Sequence, residues 1–218
     1  MATLHVDTVN GHELKILDEE GSYTVPYVFG ELKNDFYGLE KIEIGKEDCI
    51  IDIGANVGMF SIYAKKKFGC RIIAFEPVPT NFENFKKNIE LNGFNLSDFE
   101  LHNTAITDVE GGTITICTNP LNTGGSSTFQ VEGAIINVCK TETLAKYITP
   151  DCKYLKIDCE GGEFSIIPTI VNDLNNFEYI GIEYHSYNSS QNPVELHNMI
   201  LENFKGKIFH SDPNNPAS

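Results

Sequence analysis

The chain has 218 residues, with 16 basic side chains against 31 acidic ones and a formal net charge of −15. That length suits one sizeable hydrophobic core rather than two. A field of this sign repels a phosphate backbone, and the single arginine, Arg71, leaves almost no guanidinium forks for phosphate esters, so nucleic acid is excluded as the expected partner. The six cysteines form no CxxC pair and lie near no histidine at zinc-ligand spacing, which predicts reduced, small apolar residues; disulfides in a secreted chain are the alternative. The first twenty residues lack a basic segment followed by an apolar one, and no uncharged run reaches bilayer length, so the expectation is a cytoplasmic protein with no membrane partner.

In chain order, His5–Val9 and Glu13–Leu17 bracket Asn10-Gly11, a dipeptide suited to a type I′ hairpin. Residues 1–45 as a whole predict an elaboration of strands and turns. From there, short β-branched runs alternate with longer amphipathic ones, the mark of parallel strands joined by helices. The strands fall at Ile50–Ile53, Arg71–Phe75, Phe99–His102, Tyr154–Ile157 and Tyr179–Ile182; the helices fall at Gly58–Phe68, Thr80–Asn92 and Val194–Phe204. The alternation breaks between Asp108 and Lys140, where turn signals flank β-like runs at Thr113–Cys117 and Ala134–Cys139 and a small-residue loop, Asn122–Thr128, hangs between them. The expected fold is α/β and Rossmann-like: a mostly parallel sheet, helices on both faces and a small antiparallel insertion. The expected layout is an N-terminal elaboration (1–45) forming a single globular unit with the main domain (46–211), and a flexible tail (212–218).

The strongest local signal is Cys49-Ile-Ile-Asp-Ile-Gly-Ala-Asn-Val-Gly58, a strand entering a glycine turn and then a helix, which brings backbone N–H groups up to a ligand. The spacing is GxNxG rather than the GxGxxG of dinucleotide folds, and Asp52 just before it repels pyrophosphate but suits the ammonium group of a methionine moiety. Glu76 ends the next strand, at the interval where such folds place the carboxylate that accepts from both ribose hydroxyls. Further on, Asp158, Glu160 and Glu163 crowd the end of the fourth strand and Glu183 and His185 the end of the fifth, the edge where open α/β sheets bind ligands. Clustered carboxylates need a proton, a cation or a lysine such as Lys156. A plainer alternative has Glu163 starting a helix with Asp158 as its cap.

DIGANVG, FEP, GGSST and LKIDCEGGE, in that order, resemble the FkbM family of S-adenosylmethionine-dependent methyltransferases over about two thirds of the chain. The resemblance implies an S-adenosylmethionine cofactor and O-methylation of a sugar or other small hydroxylated acceptor. By position, it implies Asp52, Gly54, Asn56 and Gly58 at the methionine end, Glu76 at the ribose, and Asn103 with Ala105 on the adenine side; Ala55, Pro77 and Asp158 complete the expected cofactor set. His185, Asp158, Glu160 and Glu183 are the expected catalytic residues, with His185 as base. Gly125, Ser126, Ser127 and Glu163 are the expected acceptor-binding residues. A divalent cation ranks behind a metal-free base, because no HxH or HExxH spacing supports a metal cage. Methyltransferases of this superfamily close their sheet with an antiparallel hairpin, whereas only Lys207–Ser211 follows the last helix here, so the closing strand is either missing or replaced by an insertion strand. A nucleotide- or NAD-binding module and a non-catalytic scaffold are the competing readings.

Overall fold

The computed structural model describes residues 2–128 and 133–214. It opens with a hairpin of β1 (Ala2–Val9) and β2 (His12–Glu19), followed by helix α1 (Thr24–Lys33). Then come β3 (Cys49–Ile53), α2 (Met59–Phe68), β4 (Arg71–Phe75), α3 (Pro79–Leu91) and β5 (Glu100–His102). The insertion holds β6 (Ala105–Ile106), β7 (Thr113–Asn119), β8 (Asn122–Ser127) and β9 (Ile135–Glu142). The chain continues through β10 (Cys152–Ile157), the short α4 (Glu163–Ile166), β11 (Tyr179–Ile182), α5 (Pro193–Asn203) and β12 (Lys207–His210).

Six strands form one sheet in the order β12-β11-β10-β3-β4-β5, every neighbouring pair parallel. This is the doubly wound order, and the direction of winding reverses between β3 and β10, so a crevice opens beyond their carboxyl ends. Burial on both faces explains why the Cys49–Ile53 run is continuously apolar around Asp52. One face packs Ile50 and Ile72 against Ile62 of α2 and Phe85 of α3, and the other packs Ile51 and Ile157 against Ile166 and Ile200. β12 lies parallel beside β11, so among the described residues the strand at that edge is not part of an antiparallel hairpin. The insertion strands take no place in the main sheet, but form a separate sheet, β6-β9-β7-β8.

The N-terminal hairpin turns at Asn10 (φ 45°) and Gly11 (φ 86°), the two left-handed residues that a type I′ turn demands. Two asparagines one helical turn apart clamp it to α3. Asn88 exchanges hydrogen bonds with the backbone N and O of Leu17, and Asn92 does the same with Lys15, so the helix edge stands in for a pairing strand. Leu14, Ile16 and Phe29 thereby join the core that holds Ile50 and Ile62.

Two expectations fail here. Residues 24–33 form a helix although they contain Pro26 and Gly30; the proline sits in the first turn, where its missing N–H has no helical partner to lose. Asn122–Ser127 is an edge strand rather than a loop. Of the tail, Asp212 accepts from the N–H of Asn214, and residues 215–218 lie outside the described residues.

Candidate functional site

Gly54 leaves β3 with φ 79°, and a Cβ there would stand 1.8 Å from the Asp158 carbonyl oxygen. Only glycine lets the two strand ends approach this closely. Gly58 (φ 85°) opens α2, and a Cβ on it would strike the Phe85 ring, so this glycine serves helix packing. Between them Asn56 is left-handed (φ 51°) and donates its N–H to Glu76 Oε2 at 2.8 Å. The other Glu76 oxygen accepts from the N–H of Val78 at 2.9 Å and from Asn81 Nδ2 at 3.5 Å. Burial pushes the Glu76 carboxyl up to about 7, against the pull of those donors.

A cavity of about 400 Å³ lies at this edge. Gly54, Asn56 and Asp158 line it from the strand ends, Glu76 and Pro77 from the exit of β4, and Ala105, Ile106, Ile114 and Ile116 form apolar wall. Asn81 also lines it; its Nδ2 donates to Glu76 and to the Thr123 carbonyl, while its buried Oδ1 has no partner among the described residues.

Behind the cavity, Lys156 is buried and register-paired with Asp52. Its Nζ reaches Asp52 at 3.2 Å and Asp158 Oδ2 at 3.3 Å. The Tyr37 hydroxyl donates to the same Asp158 oxygen at 2.8 Å. Burial works to raise the Asp158 carboxyl, but Lys156, His185 and Tyr37 outweigh it and hold the group below its ordinary value. Glu183 is pushed up to about 7 and Glu160 to about 8, in both cases by burial first and by the Asp158 charge beside them. The Tyr187 hydroxyl donates to Glu160, which is itself left-handed at φ 53°, an uncommon backbone state for a residue with a side chain. His185 Nδ1 lies 3.2 Å from Glu163 Oε1, and Glu163 also takes the N–H groups of Cys159 and Gly161.

The structure thus gathers Asp158, Glu160, Glu183 and His185 at neighbouring strand ends, and sets Gly54, Asn56, Glu76, Pro77, Ala105, Ser126 and Ser127 around the cavity. Other expectations need correction. Asp52 does not reach the cavity: it is fully buried, held by Ser61 Oγ at 2.6 Å and by Lys156, and its charge serves that ion pair. Ala55 lines a smaller cavity of about 40 Å³ beneath α1, and Gly58 faces Phe85. Asn103 bridges the carbonyls of Glu76 and Pro77, fixing that turn from outside. Gly125 is not among the lining residues, although Gly124, Ser126, Ser127 and Thr128 are. Glu163 opens α4 and binds backbone and His185, so it is a strut and not a contact for an acceptor. At His185 burial opposes the charge, yet the Glu163 hydrogen bond and the charges of Asp158 and Glu160 push it up to about 10. Sequence reasoning missed Asn81 and Tyr37. Asn81, Asn84, Asn88 and Asn92 fall on one helical face, a polar stripe that a search for apolar faces passes over.

An all-parallel doubly wound sheet with a GxNxG turn and an acidic residue closing its second strand is the Rossmann-like methyltransferase fold. The chain belongs to the methyltransferase FkbM domain family, whose model matches residues 52–208. Among its relatives, Methyltransferase 1 of Beauveria bassiana is 42% identical over 57 residues, 26% of this chain and 22% of that protein. The hexuronic acid methyltransferase AglP of Haloferax volcanii is 22% identical over 146 residues, 66% of this chain and 59% of that protein. The solved TYW2 of Pyrococcus horikoshii, in complex with MeSAdo, shares 14% identity over 63% of this chain and 70% of that one, with a TM-score of 0.34. The chain spans less than two thirds of the length of these curated relatives.

Proposed function

We propose that the chain binds S-adenosylmethionine in the large cavity and transfers its methyl group to a hydroxyl of a small molecule or glycan. The observation that carries this reading is the cavity of about 400 Å³ at the switch point, with the Glu76 carboxylate in its wall and Asp158 joining it to the acidic cluster. That volume lies within the range of ordinary ligand sites. The residues fit the cofactor: Glu76 suits two ribose hydroxyls, the orphaned Asn81 Oδ1 is a ready acceptor for another donor, and the isoleucine wall suits a purine face. When bound, the cofactor supplies a sulfonium methyl open to in-line attack.

This chain's own part is binding, orientation and proton removal. Asn56 N–H and Val78 N–H aim the Glu76 oxygens, and the Thr123 carbonyl holds the Asn56 and Asn81 amides in place. β8 forms the rim, pinned by Thr123 Oγ1 on Asp18 and by the Gly124 N–H on Thr24, so it acts as a wall and not as a lid. The acceptor hydroxyl loses its proton to the carboxylate cluster. Glu183, about 7, has the basicity the task requires, whereas protonated His185 steadies the negative charge. The similarity to AglP favours a hydroxylated carbohydrate acceptor.

The test is incubation with methyl-labelled S-adenosylmethionine and a set of sugars, uronic acids and hydroxylated small molecules, followed by mass spectrometry. A labelled methyl ether on one of them is the expected product. Transfer to nitrogen or carbon acceptors alone refutes O-methylation.

A further inference from the structure

Helix α1 turns an unusual face to solvent. Tyr23, its N-cap, and Tyr27 stand one turn apart and are 58% and 64% exposed, and Glu31 follows one turn further on. Leu121, exposed at the turn between β7 and β8, extends the patch, because its carbonyl accepts the Tyr23 N–H at 3.1 Å. Single exposed apolar residues need no explanation, but two tyrosines on one helical face beside a leucine mark a binding surface. Gly30 interrupts that face between Tyr27 and Glu31: a Cβ on it would meet no atom within 4 Å, so the backbone lies bare there. The face borders the acids at the strand ends. The Glu31 charge, burial, and the charges of Glu183 and Asp158 push the Tyr27 hydroxyl up, so the polar end of that ring lies within electrostatic reach of all three. Glu31 and Val28 line the small cavity beneath α1 together with Asp158 and Lys156, and Asp158 lines the large cavity as well. Glu31 itself makes no hydrogen bond or ion pair among the described residues. Burial, then the charges of Asp158 and Glu183, push its carboxyl up to about 8, so near neutrality it holds a proton and can both donate and accept.

We propose that the acceptor lies on this face of α1 and is a neutral sugar ring, stacked on Tyr27 and hydrogen-bonded to Glu31. The C–H groups of a pyranose carry partial positive charge from their neighbouring oxygens and rest favourably on the negative face of an aromatic ring. Tyrosine is suited to such a contact, since it offers a large rigid surface with few torsions to freeze. The bare backbone at Gly30 gives the ring room to lie flat between the stack and the carboxyl. The local charge decides against a uronate. Burial and the Asp158 charge already hold Glu160 up to about 8 and Glu183 up to about 7, so a further carboxylate brought beside them costs binding. The nearby cations are matched by acids of the chain: Lys156 by Asp52 and Asp158, and His185 by Glu163. That the shelf leads to a transferable methyl rests on the methyltransferase reading, but sugar binding is measured without turnover.

The test titrates the full chain, with and without S-adenosylhomocysteine, with the methyl glycosides of glucose, galactose, mannose and glucuronic acid, followed by saturation-transfer difference NMR. At least one neutral glycoside is expected to bind, and the glucuronide to bind about tenfold more weakly or not at all. Tyr27→Ala should weaken the neutral sugar about fivefold or more, whereas Tyr27→Phe, which keeps the ring, should retain most of the affinity. Gly30→Gln puts a side chain into open space and a better helix former into α1, so it should keep its thermal midpoint and still block the sugar. Leu96→Ala, at an exposed apolar residue elsewhere, should change nothing. Absence of binding by every neutral glycoside overturns the proposal, as does a glucuronide that binds as tightly as the best of them, or unchanged affinity in both Tyr27→Ala and Gly30→Gln. Sugar binding without any binding of S-adenosylhomocysteine supports the shelf and counts against the methyltransferase reading alone; the reverse result overturns the shelf and leaves that reading standing.

Discussion

Replacing Glu76 by alanine tests the cofactor site at its most specific point. The carboxylate accepts the N–H groups of Asn56 and Val78 at 2.8 and 2.9 Å, so the substitution orphans two backbone donors as well as removing the proposed ribose acceptor. Hydrogen bonds to a charged group contribute about 1.5–3 kcal/mol, which is about a 10- to 150-fold loss of affinity for S-adenosylhomocysteine. The orphaned donors add about 1–3 kcal/mol of destabilisation each, less where water from the cavity reaches them. The charge also sets the pH dependence. Because the free protein holds this carboxyl up to about 7 and, in the proposed pose, ribose hydroxyls donate to its ionised form, binding is expected to release a proton below that value. Affinity therefore rises with pH up to about 7 and levels above it, falling by up to about tenfold per unit on the acid side. Isothermal titration between pH 5.5 and 8.5, on both proteins and with thermal melts as a folding control, measures all of this. A folded Glu76→Ala variant with wild-type affinity, or a wild-type affinity independent of pH, refutes the assignment.

Gly54→Ala places a methyl group within 1.8 Å of the Asp158 carbonyl oxygen and should abolish cofactor binding and lower the thermal midpoint, as differential scanning fluorimetry would show; a midpoint equal to wild type contradicts the close approach of the strand ends. Lys156→Met strands the buried Asp52 and the Asp158 carboxylate without their shared cation, and breaking such a pair costs about 3–5 kcal/mol. For a chain of this length that lowers the midpoint by about 10 °C; a fall of a degree or two would show that Ser61 and Tyr37 alone satisfy the two acids.

The alternating strands and the glycine turn were legible because their signals are local. A buried parallel strand must be apolar throughout, as Cys49–Ile53 nearly is, and Asn10-Gly11 states its own turn. The convergence of Asp158, Glu183 and His185 was legible for a topological reason, since adjacent parallel strands bring their ends together. What stayed hidden depends on partners distant in sequence. Asp52 looks the same whether it faces a ligand or Lys156, and only the register of β3 with β10 decides. Asn122–Ser127 has loop composition yet becomes a strand because β7 and the side chains of Thr24, Asn56 and Asn81 hold its backbone. α1 conceals itself behind Pro26 and Gly30, which argue against a helix until the proline is seen to fall in its first turn. No helix among the described residues is long and apolar enough to cross a membrane.

The central claim, that the crevice between β3 and β10 is built for a sulfonium nucleoside and not for a dinucleotide, is tested most directly by calorimetric titration of the wild-type chain with S-adenosylmethionine, S-adenosylhomocysteine and NAD in parallel. One molecule of either S-adenosyl compound per chain, with no measurable heat from NAD, is the predicted result. NAD binding more tightly than both, or no binding of any of the three to a folded chain, would contradict it.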